Sequence, residues 1–127
     1  MRHLVTAMFL VVAVIHLLPL AGFLGATRLT ALYGVVLDDP NLVILMRHRA
    51  VLFGLLGVFL AVAAFRPALQ PMAFVGGGVS VVSFLYLVVS VGHYNEHLRR
   101  VFIADLVAAA CLVVGLLAYL FLQRKAY

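Results

Sequence analysis

The stretch NLVILMRHRAVLFGLLG, from Asn41 to Gly57, decides how the rest of the chain folds. It opens an apolar run that continues to Phe65, yet it contains the basic triplet Arg47-His48-Arg49. Charged side chains inside an apolar membrane helix are costly and usually face a protein partner or an aqueous boundary. At about 100° per residue, Arg47 shares one stripe with the small residues Ala50, Gly54, Gly57 and Ala61. Small residues permit close helix contact, so the pattern predicts that Arg47 points into a helix bundle.

The composition of the chain is that of a membrane protein. Of its 127 residues, 67% are hydrophobic and 10% are charged, and the mean hydropathy is +1.24. Soluble domains are closer to half apolar and a quarter charged. Four apolar stretches are long enough for a hydrocarbon core, and they predict helices at about 4–24, 42–65, 72–97 and 101–122. The expected fold is all-α, a single integral-membrane four-helix transmembrane bundle over residues 1–127.

Charge and cysteine content exclude other classes. The net charge is +5, but the basic residues lie at predicted helix ends and loops, which is typical of membrane boundaries. Nucleic acid is therefore not expected as a partner. The one cysteine, Cys111, rules out a disulfide framework within the chain. The first apolar stretch follows Arg2 like a signal sequence, but we expect it to be retained as the first helix.

The connections between the predicted helices carry their own signals. Residues 28–36, RLTALYGVV, predict a short interfacial helix with Tyr33 at headgroup depth. The sequence Asp38-Asp39-Pro40-Asn41 predicts a stop and an N-cap for the second helix. The run Gly76-Gly77-Gly78 predicts either close helix contact or a local break in the third helix.

Polar residues are expected to gather at one end of the bundle. Antiparallel spans place His16, Arg47, His48 and Asp105 in the same half. We expect Asp105 to pair with Arg47 or His48, and the guanidinium fork favours the arginine. The third predicted helix carries a polar stripe with spacings of three and four residues, which indicates an inward face. The stripe comprises Ser83, Tyr86, Ser90, His93 and His97 and continues through Tyr94 and Asn95.

This cluster predicts a cleft for a hydrophobic ligand. The arginine would meet a lipid phosphate, a quinone carbonyl or another amphiphile headgroup. No nucleophile motif or carboxylate pair is present, so binding is favoured over catalysis and an enzymatic role stays open. The candidate ligand-binding residues are Arg47, His48, Asp105, His16, Tyr86, Ser90, Tyr94 and Asn95.

Three alternatives compete with a ligand cleft. His93, Glu96 and His97 spell H-x-x-E-H, the inverse zinc-protease pattern, which predicts a metal ion. His16 and His48 are candidate axial ligands for haem. In the third alternative, Arg47 and Asp105 form only a buried latch that fixes helix register in a structural subunit.

The residues also resemble a known family. RLTALYGVVLDDPNLVILMRHRAVLFGLLGVFLAVAAFRPALQP, a glycine-bearing third helix and the Tyr94-Asn95 turn before Asp105 resemble small bacterial inner-membrane proteins of DoxX-like layout. The most specific segment is MRHRAVLFG. The resemblance implies a multi-pass location in the bacterial inner membrane, with membrane lipid as a partner. It implies no reaction and therefore no catalytic residues.

Two further expectations concern relatives and assembly. Some look-alikes are labelled phosphopantetheine adenylyltransferase, a soluble nucleotide-binding α/β enzyme. This chain has neither predicted strands nor an HxGH-type motif, so the label does not suit it. The glycine run and the small-residue stripes favour association with a second copy or with a membrane-complex partner.

Overall fold

The computed structural model describes residues 2–20, 25–34 and 38–126. Helices account for nearly all of these residues. Within these ranges there are five α-helices and no strand, as predicted. The helices are α1 (Arg2–Leu17), α2 (Ala26–Tyr33), α3 (Pro40–Phe65), α4 (Gln70–Val91) and α5 (Glu96–Ala126). A 3-10 turn at residues 18–20 extends α1, and another, Pro67–Leu69, joins α3 to α4. Among the described residues, four helical segments are long and apolar enough to cross a membrane.

The boundary between α4 and α5 differs from the prediction. The third helix was expected to reach residue 97, but α4 ends at Val91. Gly92 follows with φ 80°, and its N–H donates to the carbonyl of Val88 at 3.0 Å. Glycine adopts this left-handed conformation without the steric cost of a Cβ, so it terminates the helix. α5 then begins at Glu96, five residues before the predicted start at 101.

Two predicted local signals are confirmed. The Asp39 side chain caps α3 by accepting a hydrogen bond from the Asn41 N–H at 2.9 Å, and Pro40 occupies the first turn. The predicted short helix is present as α2, which ends where Gly34, with φ 65°, donates to the carbonyl of Thr30 at 2.7 Å. Residues 35–36 of the predicted helix lie outside the described residues.

The four long helices pack as antiparallel neighbours around one core. α1 packs against both α3 and α5, and α4 packs against α5 and α3. The buried core is built from residues of all four long helices, including Phe9, Val12, Leu60, Val81 and Leu112. On α5, Asp105, Ala108, Leu112 and Gly115 form the buried face.

α1 and the 3-10 turn that extends it approach α3 closely. A Cβ added at Gly57 would lie 2.8 Å from Leu17 Cγ and 3.2 Å from the Ala13 carbonyl oxygen. At Gly54 it would lie 2.7 Å from Leu20 Cδ1. These glycines therefore permit the contact, as the small-residue stripe predicted. The glycine run 76–78 makes no break in α4, which stays helical throughout.

Glycine substitutions should separate close contact from helix propensity. We expect Gly57→Ala to destabilise the protein by about 1–3 kcal/mol, because the methyl group overpacks the α1–α3 contact. Gly78 has no neighbour within 4 Å of an added Cβ. Gly78→Ala should therefore stabilise by up to about 1 kcal/mol through helix propensity. Unfolding in mild detergent measures both, and equal effects at the two positions would contradict this packing.

Candidate functional site

A cavity of about 280 Å³ opens at the end of the bundle where α1 finishes and α5 begins. Its walls come from α1, α3, α4 and α5, and α2 lies beside its opening with Ala31, Leu32 and Tyr33 in the lining. Most of the lining is apolar, with Phe53 and Phe84 as its aromatic walls. The polar and charged lining residues are His16, Tyr33, Arg49, His97, Arg100 and Asp105.

Arg49 is the cation that the fold fixes in this cavity. Its Nη1 donates to the Tyr33 hydroxyl at 2.7 Å. The guanidinium carbon lies 4.5 Å from the ring centroid of Phe53 and 5.3 Å from that of Tyr33. Such stacking attracts a cation to the ring face and orients the planar guanidinium. Arg49 thus joins α2 to α3 while half-buried in the cavity wall.

Asp105 is the buried acid of the same cavity. It is 8% exposed, and within the described ranges no residue donates a hydrogen bond to it. Arg49 lines the same cavity, but the two side chains do not form an ion pair. Burying a carboxylate without a partner is costly. Every fully enclosed polar side-chain atom of the described residues has a hydrogen-bond partner. The Asp105 oxygens have no such partner, so they are not fully enclosed and remain accessible from the cavity.

His16 is a structural part of the cavity wall. The carbonyl of Val12 can only accept, so Nδ1 of His16 donates to it at 2.9 Å. In the neutral ring, Nε2 then accepts from the Ser80 hydroxyl at 3.0 Å. Both ring nitrogens are therefore used within the protein, and the side chain, 2% exposed, ties α1 to α4. Ser80 lay outside the predicted polar stripe.

Asn95 holds α2 in place beside the cavity. Its Nδ2 donates to the Tyr33 carbonyl at 2.7 Å and to the Gly34 carbonyl at 3.3 Å. Its Oδ1 accepts from the Leu98 N–H at 2.8 Å, so the same side chain caps α5. An added Cβ at Gly34 would lie 2.6 Å from His97 Nδ1, which shows how closely α2 approaches α5. Asn95 was expected in the binding site, but it positions the site from outside the lining.

The prediction that Arg47 points into the bundle is wrong. Arg47 and His48 are exposed and do not line the cavity, whereas Arg49 lines it together with Asp105. At about 100° per residue, Arg47 lies roughly 60° to one side of Ala50, whereas Arg49 lies roughly 100° to the other. The buried face of α3 extends to the Arg49 side, where Leu60 and Ala64 are buried.

The predicted inward polar stripe of the third helix is also wrong. Ser83, Tyr86 and Ser90 are exposed, with Tyr86 69% exposed. The buried face of α4 is formed instead by Gln70, Ala73, Gly77, Val81 and Val88. Tyr94 lies beyond the helix end, with its ring 6.2 Å from that of Phe102, and it does not line the cavity.

The H-x-x-E-H metal set is not assembled. The pattern spans the junction between α4 and α5, so His93 precedes the helix that contains Glu96 and His97 and the imidazoles are not one helical turn apart. The Glu96 carboxylate faces Arg99 at 3.7 Å. Over residues 2–20, 25–34 and 38–126, no group of three His, Cys, Asp or Glu side chains is arranged to hold a metal ion.

The positions of the two candidate histidines do not support the haem alternative. His16 is buried with both ring nitrogens engaged, whereas His48 is exposed on α3 outside the cavity lining. Axial ligation needs an available nitrogen on each histidine. The two side chains therefore do not form an axial pair.

The arrangement offers donors and an acceptor to a small molecule among apolar walls. Arg49 supplies N–H donors and Asp105 supplies carboxylate oxygens. The cavity lies just below the usual volume range of ligand pockets, about 300–1,000 Å³. Sequence reasoning found Asp105 and His16 but missed Arg49 and Tyr33. The spacing of Phe53 four residues after Arg49 was the available signal, because such residues share a helix face.

Asn95 variants should separate the α2 attachment from the α5 cap. Asn95→Asp keeps the oxygen that accepts from the Leu98 N–H but loses the donor to the Tyr33 and Gly34 carbonyls. Each lost hydrogen bond costs about 0.5–1.5 kcal/mol. We expect amide hydrogen exchange in α2 to accelerate roughly tenfold in Asn95→Asp, with the start of α5 unchanged. Asn95→Ala should accelerate exchange in both. Unchanged exchange in α2 in both variants would show that other contacts hold it.

In comparisons with known proteins, no family model, curated protein or solved structure matches this chain.

Proposed function

We propose that the chain is a multi-pass membrane protein that binds a small amphiphile in the cavity, with Arg49 as the polar anchor. Its four long helices are apolar on their outer faces as well as inside, as shown by Leu55, Val79 and Leu117, which are 63%, 65% and 62% exposed. Such faces suit lipid and would be a liability in water. The resemblance to DoxX-like bacterial inner-membrane proteins favours that membrane as the location.

Two polar groups of the cavity, on Arg49 and Asp105, lie at similar distances from the starts of their helices. Arg49 is nine residues after the start of α3 at Pro40, and Asp105 is nine residues after the start of α5 at Glu96. At 1.5 Å per residue, each lies about 14 Å from the start of its helix. The polar lining is thus concentrated near one end of the bundle. A molecule with one polar end and an apolar body matches this distribution.

The observation that carries the proposal is that Arg49 and Asp105 face one cavity without pairing. A latch that only fixes helix register requires the two charges to meet, because a buried ion pair needs close geometry to offset desolvation. Here the carboxylate has no donor among the described residues, and the guanidinium donates to Tyr33. A bound molecule between them would satisfy both, so ligand binding is favoured over the latch.

Filling the cavity should abolish binding. Ala104 lies in the lining on α5, so Ala104→Phe places a ring in the space. Ala110→Phe is the matched control, since Ala110 is exposed on the same helix. The probes are 4-hexylphenol, 4-hexylbenzoate and dihexanoylphosphatidylcholine, titrated against protein in lipid nanodiscs and read by native mass spectrometry. We expect at least one to bind the wild type and Ala110→Phe, and to bind Ala104→Phe at least tenfold more weakly. Equal binding by all three proteins would place the ligand elsewhere.

Arg49 and Arg47 lie on one helix and provide a matched pair of substitution sites. Arg49→Gln removes a charged donor worth about 1.5–3 kcal/mol, so affinity for the probe that binds should fall about ten- to hundredfold. Arg47→Gln alters an exposed side chain outside the cavity and should leave affinity within twofold. The same nanodisc titration measures both. A larger loss in Arg47→Gln than in Arg49→Gln would contradict the assignment of the anchor.

A further inference from the structure

The carboxyl group of Asp105 is the strongest indication of what the cavity holds. Buried polar groups are almost always hydrogen-bonded, and exceptions need an explanation. Asp105 is only 8% exposed and lines the cavity, yet no residue in the described ranges donates to it. A ligand that brings its own O–H or N–H group would supply the missing donor.

The guanidinium of Arg49 supplies the complementary half of the recognition. It has five N–H donors. In the described part of the chain, this side chain makes one hydrogen bond, to the Tyr33 hydroxyl. The remaining donors are available to an oxygen atom of a ligand. A hydroxyl group has the chemistry that both side chains need, because its hydrogen can donate to Asp105 while its oxygen accepts from Arg49.

The charged side chains that line the cavity determine which polar group a ligand can carry. An ammonium group would pair with Asp105 but would also meet the like charges of Arg49 and Arg100. A phosphate or carboxylate would pair with the arginines but would meet the buried Asp105 carboxylate. Like charges in such a confined space are unfavourable. A neutral polar end avoids both conflicts.

The walls select the body of the ligand. Phe53, Phe84, Ile15 and Leu18 present apolar surface around a space of about 280 Å³. Apolar cavities of roughly 150 Å³ already admit a benzene ring. A six-membered ring with a short alkyl chain therefore fits this space.

We propose that the ligand is a neutral amphiphile with a hydroxyl group at its polar end, whose O–H donates to Asp105 and whose oxygen accepts from Arg49. This inference rests on the proposed function, since it names the class of molecule that the cavity takes. The hydroxyl group is the shared chemistry of ring-bearing phenols and of acylglycerols, and either supplies the same pair of hydrogen bonds.

Methyl ether analogues test the hydroxyl directly. The probes are 4-hexylphenol, which is neutral at pH 7, and 4-hexylanisole, which keeps the oxygen but lacks the hydrogen. 1-Hexanoylglycerol supplies an aliphatic hydroxyl, and 4-hexylbenzoate and 4-hexylbenzylammonium supply the two charges. Titrations use the full chain in nanodiscs. We expect wild type to bind at least one hydroxylated probe about tenfold or more tightly than 4-hexylanisole and both charged probes. Whether phenol or glyceride binds more tightly identifies the source of the hydroxyl.

The variant Asp105→Leu removes the acceptor and keeps the branched shape of the side chain, with methyl groups in place of the oxygens. Its preference for 4-hexylphenol over 4-hexylanisole should fall below twofold, while its affinity for 4-hexylanisole stays close to that of wild type. If this variant does not fold, the wild-type comparison alone decides.

The outcomes separate this inference from the proposed function. The hydroxyl assignment is overturned if neither 4-hexylphenol nor 1-hexanoylglycerol binds wild type more tightly than 4-hexylanisole, or if either charged probe binds more tightly than both. If the binding of these probes is still lost in Ala104→Phe, the cavity remains a binding site. Retention of the full hydroxyl preference in Asp105→Leu overturns the role of Asp105. No binding of any probe to wild type overturns both proposals.

Discussion

The close approach of α1 to α3 is the constraint on which the cavity depends. Gly57 and Gly54 leave no room for a Cβ against Leu17, Ala13 and Leu20, so the two helices touch along this line. Pro19 has no N–H to continue the helix, and α1 passes into a 3-10 turn beside the same contact. The last turn of α1 and the 3-10 turn after it therefore form one wall of the cavity, together with α3, α4 and α5.

The two ends of the bundle satisfy their polar groups differently. The last carbonyl groups of a helix have no partner within it. At the end of α3, Gln70 donates to the Ala63 carbonyl at 3.1 Å, and Thr6 donates to the Ala64 carbonyl at 2.9 Å. Both polar side chains are thereby used in the protein. At the cavity end, the buried Asp105 has no such donor among the described residues.

Local patterns in the sequence predicted the helices and a cap, but they failed where tertiary packing decides. Hydropathy and length predicted four long helices, and Asp39 predicted the cap of α3. The small-residue stripe correctly marked the contact with α1, but it lies at one edge of the buried face. Arg47 lies outside that edge of the buried face, and Arg49 lies at the opposite edge. The periodicity of α3 alone does not reveal which of its sides is covered by a helix other than α1.

The predicted polar stripe of the third helix failed because of the backbone conformation of one residue. The spacing of Ser90, His93 and His97 is helical only if the helix continues, and Gly92 in the left-handed region ends it. His97 then joins α5 and lines the cavity, whereas His93 does not. A glycine inside an apolar run is tolerated in many helices, as Gly76–Gly78 show in α4. Sequence alone therefore does not distinguish a terminating glycine from a packing glycine.

Arg49 is shared between the cavity and the helix beside it. Tyr33 accepts a hydrogen bond from Arg49 through its hydroxyl, and its carbonyl accepts one from Asn95. The side chain that positions the cation therefore belongs to α2, a short helix bounded by Gly25 and Gly34, both with positive φ. Arg49 therefore belongs both to the cavity wall and to the attachment of α2, and Asn95 supplies the second attachment of that helix.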